Sequence, residues 1–331
     1  MKKIKTKQTN SSEKIAGWAK EDEVIKTNIP IYLTLGMLKF APRFFLNFIT
    51  RCTSVFFYLF NKRSKQECLR FQNQFLKVAE NGELKKNNVF RQILSFAITF
   101  VEKMECWVKN DFKVKIEFHD DDVNQLINQL NAGKGAFIIC SHLGNSEILR
   151  NLANHNKIYL NREIPVSVLM DLSSTQNFTN TIEKINPGFS KNIVDINNIS
   201  PATIEILQET IEKGGLVVTA GDRISKNADS RYLTASFLGK DAPWSYGVYL
   251  LAMLLKAPVY FMFGIRNGDV SFKRNYNFYI KRSSVDTDCS RKERETKIEE
   301  LCLEFAGELE KRCLENPFQW YNFYDFWQFP N

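Results

Sequence analysis

The chain has 331 residues, enough for one large domain or two ordinary ones around a buried core. Its apolar share of 44% and charged share of 25% are those of a globular protein. The net charge of +8 is concentrated at the start, where residues 1–65 hold 13 Lys/Arg against 4 Asp/Glu and the remainder is nearly neutral. A basic start suits anionic lipid or an acidic partner. No nucleic-acid-binding motif accompanies it, so nucleic acid is not expected as a partner. Seven scattered cysteines with no C-x-x-C argue against a disulfide framework or a zinc site. No short apolar run with a small-residue cleavage site follows the first lysines, so no secretory signal is expected.

Residues 1–28 read as a polar N-terminal segment. Residues 29–112 read as a helical, membrane-associated region, beginning with the aromatic stretch Ile29–Phe60. Lys39, Pro42, Arg43 and Arg51 interrupt that stretch, which is short of the roughly 20 apolar residues a spanning helix needs. An interfacial helix with snorkelling arginines is the favoured reading. A buried hairpin broken at Pro42 and a single span remain open. Residues 61–112 continue as helices, with FRQILSFAITFVEKMECW spaced for one apolar face.

Residues 113–331 read as an α/β domain in which short apolar strands alternate with helices. GAFIIC (135–140) is a buried strand, and Asn145–Asn154 a helix. PVSVLM (165–170) is a strand, followed by a helix near 175–185 and the strand NIVDI (192–196). Ser200 and Pro201 start a helix that Gly214 and Gly215 end. GLVVTAG (215–221) is the next strand and Trp244–Leu255 a helix. PVYFMFGI (258–265) is a strand, Lys273–Lys281 alternates like an edge strand, and a charged helix covers about 290–313. The expected fold is therefore α/β, a mostly parallel central sheet flanked by helices, with the helical N-terminal third packed on it.

Of three histidines, only His142 follows an apolar strand directly, in CSHLGNSEILR, and strand ends are where open α/β sheets place their sites. Glu147 lies five residues on. If a helix starts near Gly144 or Asn145, Glu147 falls in its first turn and can point back at the imidazole. It would keep one ring nitrogen protonated and leave the other to take a proton from a hydroxyl. The backbone N–H groups of 143–145 would then face a developing anionic oxygen. The alternative is a capped helix with an exposed histidine and a glutamate that suits the helix dipole. Asp222 and Arg223, at the end of the next strand, either bind an acceptor and orient the pair or form an ion pair within a turn. Phe237 and Gly239 either shape the site or pack a turn. Arg266 is a candidate anion binder or a surface arginine. The aromatic tail from Trp320 to Trp327 reads as a packed lid or an interfacial belt. No glycine-rich nucleotide loop is present, so no ATP or NAD is expected.

His142 and Glu147 match the H-x4-D/E motif of the lysophospholipid-type acyltransferases. The surroundings resemble the lipid A biosynthesis (late) acyltransferase branch over about 115–327. The resemblance rests on SHLGNSE, on GDR in the strand GLVVTAGDR, on FLGKDAPWSYGVYLLAMLLKAPVYFMF (237–263) and on the closing PFQWYNFYDFW. It is most similar in look to acyltransferases of aryl polyene and related glycolipid pathways. One departure stands out: 170–189 contains no arginine, where many lipid A acyltransferases are arginine-rich. The resemblance implies acyl transfer from acyl carrier protein or acyl-coenzyme A to a hydroxyl of a membrane glycolipid or polyene-type lipid, by His142 and Glu147. It also implies substrate-binding roles for Gly144, Asn145, Asp222, Arg223, Phe237, Gly239 and Arg266, no metal or further cofactor, and a place on the cytoplasmic face of the bacterial inner membrane. The rival expectation is a non-catalytic membrane- and carrier-binding protein on the same fold.

Overall fold

The computed structural model describes residues 36–38, 40–79, 84–108, 113–119, 122–148, 160–172, 183, 192–224 and 231–330. The polar segment 1–28 and, apart from Glu183, the helix expected near 175–185 lie outside the described residues. So does the body of the helix expected from Asn145, which is seen only at its first turn.

Three helices lead: α1 (Arg43–Phe60), α2 (Lys62–Val78) and α3 (Val89–Val108). Pro42 precedes α1, where a missing N–H costs nothing, and the Asn61 side chain caps α2 by accepting from Ser64 N at 2.9 Å. α1 is amphipathic with the usual faces exchanged. It buries Leu46, Thr50 and Ser54, and both hydroxyls are satisfied by carbonyls of their own helix. Phe44, Phe48, Phe56, Leu59 and Phe60 face outward. α2, by contrast, drives Phe71 and Phe75 into the core that also holds the sheet, so the N-terminal helices are part of one packed body. Among the described residues no helix is long and apolar enough to cross a membrane.

The central sheet has seven strands in the order β1-β9-β8-β2-β5-β3-β4. These are β1 (Lys115–Phe118), β2 (Ala136–Cys140), β3 (Val166–Met170), β4 (Ile193–Asp195), β5 (Leu216–Ala220), β8 (Val259–Arg266) and β9 (Asn275–Arg282). All neighbours are parallel except β8 and β9. The alternating strand expected at the edge is β9, but β1 pairs outside it, so the edge passes to a four-residue strand that reads as too short and too charged to detect. A second sheet, the antiparallel hairpin β6 (Tyr232–Phe237) and β7 (Lys240–Ser245), takes up Trp244, which moves the start of the next helix to Tyr246.

Helices α4 (Asp122–Asn131), α5 (Pro201–Glu212), α6 (Tyr246–Leu255) and α7 (Arg294–Glu315) complete the layers. α5 opens with a capping box in which Ser200 and Thr203 satisfy each other's backbone N–H, the reciprocal arrangement that fixes a helix start. One face of the sheet offers Phe137, Ile139, Phe261 and Phe263 to α6 and α7. The other offers Ile138, Tyr260 and Phe278 to α4. This is a three-layer α/β/α arrangement.

Candidate active site

His142 stands two residues beyond β2 and Asp222 two beyond β5. These strands are parallel neighbours with Cys140 opposite Ala220, so the register carries both side chains to the same place at the carboxyl edge of the sheet. There His142 Nδ1 lies 2.8 Å from Asp222 Oδ1, and the His142 backbone N–H donates to Oδ2 at 2.9 Å. Trp320 Nε1–H donates to the same Oδ2 at 3.3 Å.

Burial alone would push the Asp222 carboxyl up. The charge and hydrogen bonds of His142, with Arg223 beside them, more than offset it and hold the group below its ordinary value. An ionised Asp222 accepts a proton-bearing Nδ1, so the lone pair is on Nε2. The imidazole itself titrates below its ordinary 6.5, first because it is desolvated and then because of Arg223, with Asp222 opposing both. His142 is therefore a neutral base near pH 7. Its side chain keeps 28% exposure while that of Asp222 has none, so the ring is held through Nδ1 and part of it stays open.

The carboxylate on Nδ1 is thus that of Asp222. Holding a ring nitrogen protonated, the part that motif spacing gave to Glu147, falls to a residue 80 positions on. Glu147 opens a helix behind the loop, its backbone N–H capped by Asn145 Oδ1 at 3.2 Å. Its carboxylate raises the proton affinity of Lys103 and Cys140, so it lies in the same charged neighbourhood.

The loop's backbone donors are also committed. Leu143 N–H goes to Ser141 Oγ at 3.1 Å, Gly144 N–H to Gln319 O at 2.8 Å and Asn145 N–H to Gly264 O at 2.7 Å. The expected oxyanion donors at 143–145 are used instead to sandwich the loop between β8 and the C-terminal tail, with Tyr321 N–H donating to His142 O at 3.0 Å. Gly144 adopts φ +71°, and a Cβ there would collide with the Gly264 carbonyl, so only glycine permits this approach. Asn145 is fully buried, and its amide reaches Tyr276 OH at 3.3 Å.

The remaining candidates divide. Arg223 is half-buried, with its guanidinium 5.8 Å from the Tyr324 ring centroid, and its field reaches His142. Arg266 is buried. It makes a two-pronged ion pair with Glu102 of α3 at 2.9 and 2.8 Å and bonds Tyr276 OH at 2.7 Å. A guanidinium so committed to Glu102 and Tyr276 ties α3 to the sheet and has neither terminal nitrogen left to offer an anion. Phe237 and Gly239 belong to the β6–β7 hairpin. Phe237 packs on Trp320 at a centroid distance of 5.0 Å, and Leu238 and Gly239 both take positive φ in the turn. Phe237 thereby backs the indole that donates to Asp222.

Sequence reasoning missed three contributors. Trp320 was read only as part of an aromatic tail, and Tyr276 only as a strand residue. Lys103, on α3, is half-buried, with its ammonium titrating below the ordinary 10.5 chiefly through burial, against the fields of Glu147 and Asp222. Its signal was positional: it lies one helical turn beyond Thr99, whose hydroxyl is 2.9 Å from Tyr321 OH. Cys140, directly before the site, is no nucleophile, because burial pushes its thiol up to about 12.

A neutral histidine held by a buried aspartate at the ends of adjacent parallel strands is an arrangement suited to acid–base chemistry on an open α/β fold. The family model described as bacterial lipid A biosynthesis acyltransferase matches residues 27–328, and the chain belongs to that family. Its members are acyltransferases. No curated protein matches the sequence.

Proposed function

We propose that the protein moves a fatty acyl group from the thioester of acyl carrier protein, or of coenzyme A, to a hydroxyl of a membrane glycolipid or polyene-type lipid. The observation that carries this reading is the His142–Asp222 pair, bonded through Nδ1, with the histidine side chain still 28% exposed. The acceptor O–H gives its proton to His142 Nε2 as the oxygen attacks the thioester carbonyl. Asp222 fixes the tautomer and favours the imidazolium that forms, and the departing thiolate takes the proton from Nε2. Arg223 adds positive field where the carbonyl oxygen gains charge, and Glu147 opposes the loss of proton affinity that burial imposes on Lys103. The absence of arginine in 170–189 favours an acceptor with little phosphate.

The enzyme sits peripherally on the cytoplasmic face of the inner membrane. α1 lays Phe44, Phe48 and Phe56 into the bilayer, with the exposed cations Arg51, Lys62 and Arg63 at headgroup level. The test is acyl transfer in membranes expressing wild type, His142→Ala or Asp222→Asn, supplied with labelled acyl-carrier donors and read by lipid mass spectrometry. A new acylated lipid should appear with wild type and fall by about 10²–10⁴-fold in both variants. Undiminished product in either variant would remove that residue from the mechanism.

A further inference from the structure

Beyond the short turn Pro317–Gln319 the tail runs extended along the His142 loop, and its side chains alternate. Tyr321 and Phe323 face α3, with ring centroids 5.5 and 4.9 Å from Phe96 and Tyr321 OH 2.8 Å from Ser95 Oγ. Trp320 and Tyr324 face the other way. Trp320 Nε1 donates to the Asp222 carboxylate, and Tyr324 OH donates to the Asp222 main-chain carbonyl at 3.2 Å. The same two-residue alternation would turn the Asn322 side chain, between them, to the Asp222 side. It is 1% exposed, and among the described residues neither Nδ2 nor Oδ1 has a hydrogen-bond partner.

A buried amide with both ends unsatisfied is a net cost to a fold, and native proteins rarely keep one without a use. The reaction proposed above has a matching want, since the loop N–H groups nearest His142 are all spent. We propose that Asn322 is a catalytic residue whose Nδ2–H donates to the carbonyl oxygen of the acyl thioester as that oxygen becomes an oxyanion. The acceptor oxygen forms the new C–O bond and its proton passes to His142 Nε2. The carbonyl pair moves onto oxygen and is held by Asn322. On collapse the C–S bond breaks and the thiolate leaves with the proton from Nε2. An uncharged donor is apt here because it adds no cation beside the imidazole, whose proton affinity Arg223 already depresses.

The assignment rests on the acyl-transfer reading, and the experiment separates the two. Asn322→Leu replaces the amide by an apolar side chain of similar volume, and Asn322→Ala removes it outright. Each is assayed with saturated and hydroxylated acyl thioesters of acyl carrier protein and total membrane lipid, beside wild type and His142→Ala. kcat should fall about 10²–10³-fold in both Asn322 variants, with KM for the donor held within about twofold. The thermal midpoint of Asn322→Leu should be no lower than that of wild type, because nothing satisfied has been lost. Wild-type kcat in either variant overturns the assignment, as does a midpoint lowered in both, which would make the amide a structural element. Wild type as inert as His142→Ala with every donor removes the acyl-transfer reading and this assignment with it. Active wild type beside unimpaired Asn322 variants removes the assignment alone.

Discussion

Two aromatic-rich regions of this molecule meet opposite fates. The tail from Trp320 to Trp327 is largely buried, and α1 leaves Phe44 at 75% and Phe48 at 63% exposure. Amount of aromatic surface does not separate them. Four of the tail's six rings carry polar handles, and each is anchored: Trp320 Nε1 on Asp222, Trp327 Nε1 on Phe237 O at 3.0 Å, and the Tyr321 and Tyr324 hydroxyls on α3 and Asp222. The large apolar residues that α1 exposes are phenylalanines, a valine and a leucine, with no handle to direct them. Its small, self-satisfied hydroxyl face packs inward instead. A buried aromatic with a handle can position a catalytic carboxylate, whereas a bare phenylalanine face suits a medium in which it has no hydrogen bond to make.

The largest effect that separates the regions should be on stability. Trp320→Ala removes a buried indole packed on Phe71 and Phe326 at centroid distances of 4.8 and 4.9 Å, and takes away a donor to Asp222. It should cost about 3–5 kcal/mol, measured by chemical denaturation in detergent. Phe44→Ser or Phe48→Ser should change stability by no more than about 0.5 kcal/mol each. Equal losses in the two regions would mean that the α1 face is a core surface after all. The converse arm reads membranes. Phe44, Phe48 and Phe56 replaced together by Ser should lower co-sedimentation with anionic vesicles at least about tenfold, since each phenylalanine buried in lipid contributes about 1.5–3 kcal/mol. Vesicle binding unchanged in the triple variant would place the lipid contact elsewhere.

The fold was readable where periodicity was strong. Buried β2, β5 and β8 are continuous apolar runs between turn signals, and the Ser200–Pro201 start and glycine stop of α5 have local chemical causes. The β6–β7 hairpin was not readable, because Leu238 and Gly239 turn the chain within FLGK, Pro243 looks unlike a strand residue and Trp244 reads as the start of the next helix. β1 has only four residues, two of them charged, and its existence depends on β9 being there to pair with. The site divided along the same line. His142 announced itself by following an apolar strand. Its partner did not, because the nearest carboxylate in sequence is Glu147 and the nearest in space is Asp222. Only the β2–β5 adjacency and register make that distinction, and both are tertiary facts. Arg266 misled for the same reason: a lone arginine at a strand end carries no sign in sequence that Glu102, on a helix more than 160 residues earlier, will enclose it.

The smallest expected effect is also the most diagnostic of the electrostatics. A general base works only when unprotonated, so kcat/KM should fall as pH drops through the pKa of His142 in the free enzyme. Burial and Arg223 place that acid limb below 6.5, and Asp222 pulls in the opposite direction. Arg223→Gln deletes a lowering influence and should move the limb to higher pH, towards the ordinary histidine value. Asp222→Asn deletes a raising influence and should move the limb to lower pH, while kcat itself drops for want of an oriented tautomer. A loss of folding alone would scale the whole profile without moving its limb, so the two opposed displacements test the arrangement of charge around one imidazole. Limbs that shift in the same direction, or not at all, would show that the titrating base is a group other than His142.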